Sequence, residues 1–357
     1  MEMEQDLDNI IVAGANPSDI EAAIIINILG DHEQQMDGND EIHEPFNLDD
    51  VLMSDCKYLF RFEKNDIYRL CAALRMPPYV RTYKGNKVTG LTCLCMVLRR
   101  LAYPNRLRDL NLFGLSPQSM SLIINRGLEI IMNNHSHLIE NLQGLQWLNH
   151  QRLQLYAEAI QNKGGAIPNC WGFIDGTARA ICKPSVDEEN YYSGHKRFHC
   201  IKYKSVLCPD GIIASLKGAW AGRRHDAAML AESGLYEELE RVAVFPEQNF
   251  VLYGDQAYGL RELLLTPFPN RGNLEPHQLE FNNSMKLLRL TVEWGFQKVI
   301  SEFAFLDFKK NQKLLLQDVE LMYKVGIILC NCHSTLYGNQ TSQYFNVNPP
   351  ILEEYLG

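Results

Sequence analysis

Hydrophobic positions change their period along this chain. From Tyr58 to about Glu140 they recur every three or four residues, the mark of amphipathic helices. The spacing predicts helices near Lys64–Leu74, Lys87–Leu101, Leu107–Phe113 and Ser116–Met132. The last opens on Ser116 and Pro117, a capping residue followed by the ring that suits a first helical position. LRDLNLF and SPQSMSLIINRGLEII flank Gly114 and have the outline of a helix-turn-helix, whose second helix can enter a DNA major groove. Arg126 is the only cation on that helix before Asn133, which makes it the candidate DNA contact there and the base-reading face thin. A plain helical hairpin is the alternative.

Beyond Ile167 the apolar runs shorten. Trp171–Ile174, His199–Cys208, Ile212–Ala219 and Phe250–Tyr253 are expected strands, the middle two joined as a hairpin through Pro209-Asp210-Gly211. Helices are expected over Asp226–Leu239, Phe281–Phe303 and Asn311–Cys332. This succession predicts an α/β unit, a mixed sheet flanked by helices. The expected organisation is an acidic, largely disordered tail over 1–55, a helical region over 56–165 containing the helix-turn-helix-like element, an α/β domain over 166–340 and a short tail over 341–357.

Charge sharpens the first boundary. The net charge of −9 is concentrated at one end: Met1 to Asp55 holds 15 Asp and Glu and no Lys or Arg, while the remainder has 34 basic against 28 acidic residues. A mildly basic body is compatible with a nucleic-acid partner. Within the acidic segment, Ser18 and Glu21 fit a capping box for one short helix ending at Gly30. The longest apolar stretches, Ala22–Leu29 and Val325–Cys330, fall short of the ~20 residues that span a bilayer, so no membrane partner is expected. Ten irregularly spaced cysteines suggest reduced thiols rather than a disulfide framework. Cys93 with Cys95, and Cys330 with Cys332 and His333, lack zinc-site spacing and are expected to be buried helical residues.

Two aspartates occupy matching places. Asp175 closes WGFID and Asp255 closes FVLYGD. Groups just past the ends of neighbouring strands line a shared crevice in an open sheet. Either aspartate alone would more simply be a turn residue. A third acid follows on the helix after Asp255, where Met285, Leu288, Val292, Phe296, Val299 and Phe303 keep the 3, 4, 4, 3, 4 spacing of a buried stripe. Glu293 flanks that stripe on the side of Arg289, with which it would otherwise make a surface pair worth only ~0.3–0.5 kcal/mol. Three converging carboxylates repel unless a cation answers them or some take up protons. Oxygen donors without a His or Cys set favour Mg²⁺ or Mn²⁺, and two such ions suit phosphodiester chemistry.

The motifs GFIDGTARAICKP, YYSGHKRFHCIKYKSV, GAWAGRRHDAAMLAESGLYEEL, LYGDQAYGLRELLLTPF and FNNSMKLLRLTVEWGFQKVISEFAFLDFKKN occur in that order. They resemble the PIF/Harbinger transposases and the nucleases derived from them, members of the DDE superfamily with an RNase H-like fold. The resemblance runs from about Tyr58 to the C-terminus. It implies that Asp175, Asp255 and Glu293 are the catalytic acids and hold two divalent cations, Mg²⁺ or Mn²⁺, for cutting and joining double-stranded DNA at transposon ends. It also matches His225 and Asp226, in GRRHD, to a motif supporting the site, and Lys196 and Arg197, in GHKRFH, to a basic position that would meet DNA phosphate. A homo-oligomer is also expected, and the family further implies a separate Myb-like DNA-binding partner. The short basic pairs Arg99-Arg100, Arg223-Arg224 and Lys309-Lys310 make no convincing nuclear import signal. The expected location is therefore the nucleus by partner-dependent entry, and the cytoplasm otherwise. The rival expectation is a domesticated, catalytically silent DNA-binding or adaptor protein. A two-carboxylate glycoside hydrolase lacks the aromatic sugar platforms it would need.

Overall fold

The computed structural model describes residues 46–357 apart from 271 and 315. The short helix expected after Ser18 lies outside the described residues. Residues 46–82 and 86–357 form one compact unit around a continuous core. Its helical part begins with α1 (Met53–Phe60) and α2 (Lys64–Ala73), then a two-stranded ribbon of β1 (Tyr79–Arg81) and β2 (Lys87–Thr89). Phe46 and Leu48, expected in the acidic tail, are buried here. The helix expected from Lys87 starts three residues later as α3 (Gly90–Ala102). Thr89 ends the ribbon and caps the helix, its side-chain oxygen accepting from the Thr92 N–H at 3.2 Å.

The expected helix over 107–113 is instead two 3₁₀ turns, Leu107–Asp109 and Asn111–Phe113. Pro104 and the left-handed Gly114 (φ 63°) bound a segment too short to repay helix nucleation. The first member of a helix-turn-helix is thus missing. Its second member is α4 (Pro117–His135), capped by Ser116 Oγ accepting from the Ser119 N–H at 3.2 Å. Next come α5 (His137–Glu140) and α6 (His150–Asn162).

The α/β part follows as β3 (Cys170–Ala180), α7 (Glu188–Tyr191), β4 (Tyr192–Ser193), β5 (Phe198–Leu207) and β6 (Ile213–Ala221). It continues through α8 (Asp226–Glu232), α9 (Leu235–Val242), β7 (Val251–Tyr253), β8 (Leu264–Leu265), α10 (Pro276–Arg289) and α11 (Thr291–Glu302). The chain ends in α12 (Val319–Tyr337), α13 (Gln340–Phe345) and α14 (Leu352–Leu356). The sheet is mixed: β5 pairs antiparallel with β4, β3 and β6, whereas β3, β7 and β8 run parallel.

Two long expected helices are each divided. Asp226–Leu239 breaks at Ser233-Gly234, where Gly234 takes φ 64°. The helix expected from Phe281 begins earlier, at Pro276, and divides at Leu290. The final helix starts later than Asn311, where the Asp318 carboxylate accepts from the Leu321 N–H at 2.8 Å. Residues 341–357, expected as a tail, bury Phe345, Leu352, Tyr355 and Leu356. Cys93, Cys95, Cys330 and Cys332 are core residues of α3 and α12.

Two polar fasteners hold the sheet's outer strands. Asn331 on α12 clamps β6, its side chain accepting from the Ile213 N–H at 3.0 Å and donating to the Ile213 carbonyl at 2.9 Å. That satisfies backbone groups on a strand that pairs only with β5 among the described residues. Asp210, in the β5–β6 turn, is fully buried. It accepts from Arg152 Nη2 at 3.0 Å, the Ile212 N–H at 3.0 Å and the Tyr156 hydroxyl, fixing α6 to the hairpin. Removing one partner of a buried pair leaves the other charge uncompensated. Asp210→Ala is expected to destabilise the fold by about 3–5 kcal/mol in urea unfolding; a loss below about 1 kcal/mol would contradict the fastening role.

Candidate active site

Parallel pairing sets Phe173 of β3 opposite Tyr253 of β7. Asp175 and Asp255 each lie two residues further along. β7 stops at Tyr253, but β3 continues to Ala180 in partnership with β5. Asp175 is therefore inside a strand rather than at its end, beside the point where β7 leaves the sheet. Gly254 lets the departing chain turn closely over β3, since a Cβ there would stand 2.6 Å from Ile174 Cγ2 and 2.7 Å from Tyr258 Cδ2. Asp255 precedes a 3₁₀ turn, Gln256–Tyr258, yet its side chain makes no capping bond to it. Its carboxylate is not serving the turn.

Glu293 sits in the first turn of α11, exposed beside the buried stripe that the spacing predicted. The bare Gly295 brings that helix close to β5, because a Cβ would lie 2.7 Å from Leu207 Cδ1. Arg289, at the end of α10, pairs with Asp175 rather than with Glu293: its Nη1 donates to Oδ2 at 2.7 Å. The other Asp175 oxygen accepts from the Gly176 N–H at 2.8 Å.

Asp255 and Glu293 act on Asp175 through space. Burial pushes the Asp175 carboxyl up, Arg289 and the Gly176 N–H pull it down, and the charges of Asp255 and Glu293 push it up again, with a net rise. Burial and then Asp175, Asp226 and Asp255 drive the Tyr258 phenol well above its ordinary range. The Tyr258 hydroxyl and Asp226 Oδ1 both approach Gly176, at 3.6 and 3.9 Å from the place of a Cβ. Asp226, the first residue of α8, thus reaches β3 at Gly176, on the sheet face opposite the Asp175 side chain, and His225 precedes it as the exposed N-cap.

As they stand, no three His, Cys, Asp or Glu side chains among the described residues are gathered closely enough to hold a metal ion. The donors nevertheless fit a hard divalent cation in kind: all are oxygen, two flank one parallel strand pair, and their negative charge exceeds what Arg289 supplies.

Other expected contacts lie elsewhere. Lys196 and Arg197 occupy the exposed turn between β4 and β5. Ser205, opposite Asp175, is seven residues along β5 from Phe198, roughly 23 Å at about 3.3 Å per residue. Arg126 is exposed on α4 and ion-paired with Glu129 at 3.0 Å.

Lys204 was not anticipated. It lies opposite Gly176, fully buried, with Nζ donating to the Asp226 carbonyl at 2.9 Å and 4.4 Å from the centre of the Tyr258 ring. Its signal is the alternation in IKYKSV, which puts Lys202 and Lys204 on one face of a strand paired on both sides.

Residues 174–331, which contain Asp175, Asp255 and Glu293, match the family described as DDE superfamily endonuclease. The mixed sheet with flanking helices is consistent with such an RNase H-like domain. Among curated proteins, the chain is 21% identical over 296 residues to "Protein ALP1-like" of Arabidopsis thaliana, covering 78% of this chain and 69% of that one. It is 23% identical over 268 residues to "Putative nuclease HARBI1" of Mus musculus, covering 74% and 73%. The domain match and the two relatives make the chain similar to Harbinger-type DDE endonucleases. No solved structure matches it.

Burial pulls the Lys204 ammonium down to about 7 from the ordinary 10.5. Between those values the unfolded chain holds the proton more firmly than the folded one, so stability rises with pH across that window. Lys204→Met is expected to remove a rise on the order of 3 kcal/mol between pH 6 and pH 10, as followed by urea unfolding. An unchanged slope in the variant would refute the assignment.

Proposed function

We propose that the chain is a metal-dependent DNA endonuclease of transposase origin, cutting phosphodiester bonds and, at transposon ends, joining them. The observation that carries this reading is the register that sets Asp175 and Asp255 at equivalent steps past a parallel strand pair where β3 outlasts β7, with the charges of Asp255 and Glu293 acting on Asp175, within the DDE superfamily match. Asp175 and Asp255 would hold ions jointly and Glu293 would complete the second position. Two bound Mg²⁺ or Mn²⁺ ions would supply an activated water or 3′-hydroxyl and stabilise the leaving oxygen. The protein's share is positional. β5 and the Gly176 N–H fix the Asp175 carboxylate, Gly254 fixes the approach of Asp255, and Tyr258 on Lys204 packs the opposite face of the sheet.

A second reading, a catalytically silent DNA-binding protein, has the Arg289–Asp175 pair in its favour, because a guanidinium already answers one acid. Calorimetric titration with Mn²⁺ separates the two. The nuclease reading expects uptake that disappears in Asp255→Asn, together with a fall of at least about a thousandfold in Mg²⁺-dependent DNA cutting. Cutting by Asp255→Asn at the wild-type rate would defeat it, and absence of Mn²⁺ uptake by the wild type would favour the silent protein.

The pairing of Arg126 with Glu129 supports assigning sequence recognition to a separate Myb-like partner, which would also carry the chain into the nucleus. A fluorescent fusion of this chain alone is expected to accumulate poorly in nuclei and to enter when such a partner is co-expressed. Strong nuclear signal without a partner would dispose of that dependence.

A further inference from the structure

Arg289 ends α10 and reaches across to β3, where its Nη1 donates to Asp175 Oδ2 at 2.7 Å. This is its one ion pair among the described residues. Glu293, the nearer acid along the chain, is exposed and has no cation partner among the described residues, and the same holds for Asp255. The guanidinium has gone to the most enclosed of the three acids. Burial pushes the Asp175 carboxyl up, and Arg289 is the strongest influence pulling it down.

That engagement occupies the group a cation would need. Asp175 Oδ1 accepts from the Gly176 N–H at 2.8 Å and Oδ2 from Arg289, so an ion arriving at this carboxylate must share an oxygen with one of them. The neutral backbone N–H is compatible with a bound ion. A guanidinium on the same carboxylate is not, because it would stand within a few ångströms of a doubly charged cation in a half-buried place, where like charges repel strongly. Guanidinium and ion therefore compete for Asp175.

The pair is open to such an exchange. The side chains of Arg289 and Asp175 are 24% and 19% exposed, so solvent and ions reach both. Arg289 and Glu293 also leave the chain on either side of Leu290, where α10 gives way to α11, and the Thr291 hydroxyl ties the two helices by donating to the Leu288 carbonyl at 2.7 Å. A cation at Asp175 repels the first side chain and attracts the second, and both hang from one short junction. With Arg289 seated, the acids are not gathered closely enough to hold an ion.

We propose that Arg289 is a positioning residue that stands in for the metal, holding the Asp175 carboxylate at the crevice and yielding to a divalent cation that binds there. The inference rests on the metal-dependent reading and adds which side chain the cation must displace.

Calorimetric titration of the full chain with Mn²⁺ tests it without any cutting. Arg289→Gln is expected to take up Mn²⁺ about tenfold more tightly than the wild type, and adding Asp175→Asn to abolish that gain. Lys286→Gln, which removes an exposed cation earlier on α10, is expected to change the affinity less than about twofold, since solvent screens it. A purely structural role for Arg289 would lower the affinity or leave it alone. An affinity in Arg289→Gln at or below that of the wild type, or an equal gain in Lys286→Gln, would overturn the proposal. Should Arg289→Gln not fold, the wild type decides through the rate at which phenylglyoxal modifies Arg289, read by peptide mass spectrometry. Saturating Mn²⁺ is expected to raise that rate severalfold, and an unchanged or lower rate would overturn the proposal. Uptake by the wild type without a gain in the variant keeps the metal site and removes the exchange. Uptake by the variant alone keeps the exchange and leaves the wild-type chain silent, and uptake by neither removes both.

Discussion

The candidate site depends on the register between two parallel strands of unequal length. Phe173 opposite Tyr253 puts Asp175 and Asp255 at equivalent steps, and the early end of β7 opens a crevice against the continuing β3. Because side chains alternate along a strand, a slip of one residue would turn one aspartate to the other face. Phe173, Leu252 and Tyr253 are buried where both faces of the sheet are covered, so such a slip would force large side chains to repack in two filled layers. Packing thus fixes the spacing of polar groups that contribute nothing to packing themselves.

That arrangement concentrates negative charge where the sheet also buries it. Desolvation and the neighbouring acids both raise Asp175, and the protein's own answer is one guanidinium and one backbone N–H. The compensation is incomplete. Lys204, on the opposite face of the sheet, adds only part of a positive charge near neutral pH, because burial pulls its ammonium down to about 7. A site left short of positive charge is one a divalent cation can complete, which is the electrostatic case for metal chemistry here.

Much of this was legible in residue order. Ser116 and Pro117 mark a helix start, Pro209-Asp210-Gly211 a hairpin, and the stripe through Met285 and Val299 a buried helix face, because each rests on local geometry. Lengths were less legible. GTARA carries no strong apolar alternation, so the continuation of β3 beyond Asp175 follows from pairing with β5, a tertiary partner. The division at Leu290 has no glycine or proline to announce it, and Leu290 keeps a helical φ of −57°. Arg289 was legible as a cation one turn before Glu293, but its choice of Asp175 depends on where a strand 114 residues earlier passes. Lys196 and Arg197 stand close to the site in the motif order and far from it along β5, since strand length alone separates them.

Strand position also decides what becomes of the other cations on β5. Lys202 and Lys204 share one face of β5, yet they differ in what covers them. Lys204 lies under Tyr258 and Asp226 and becomes part of the packing, whereas Lys202, two residues nearer the hairpin, borders open space. The N-terminus of α8 makes that division: His225 lines that open space, and Asp226 covers Lys204 and Gly176 on the sheet face opposite the Asp175 carboxylate.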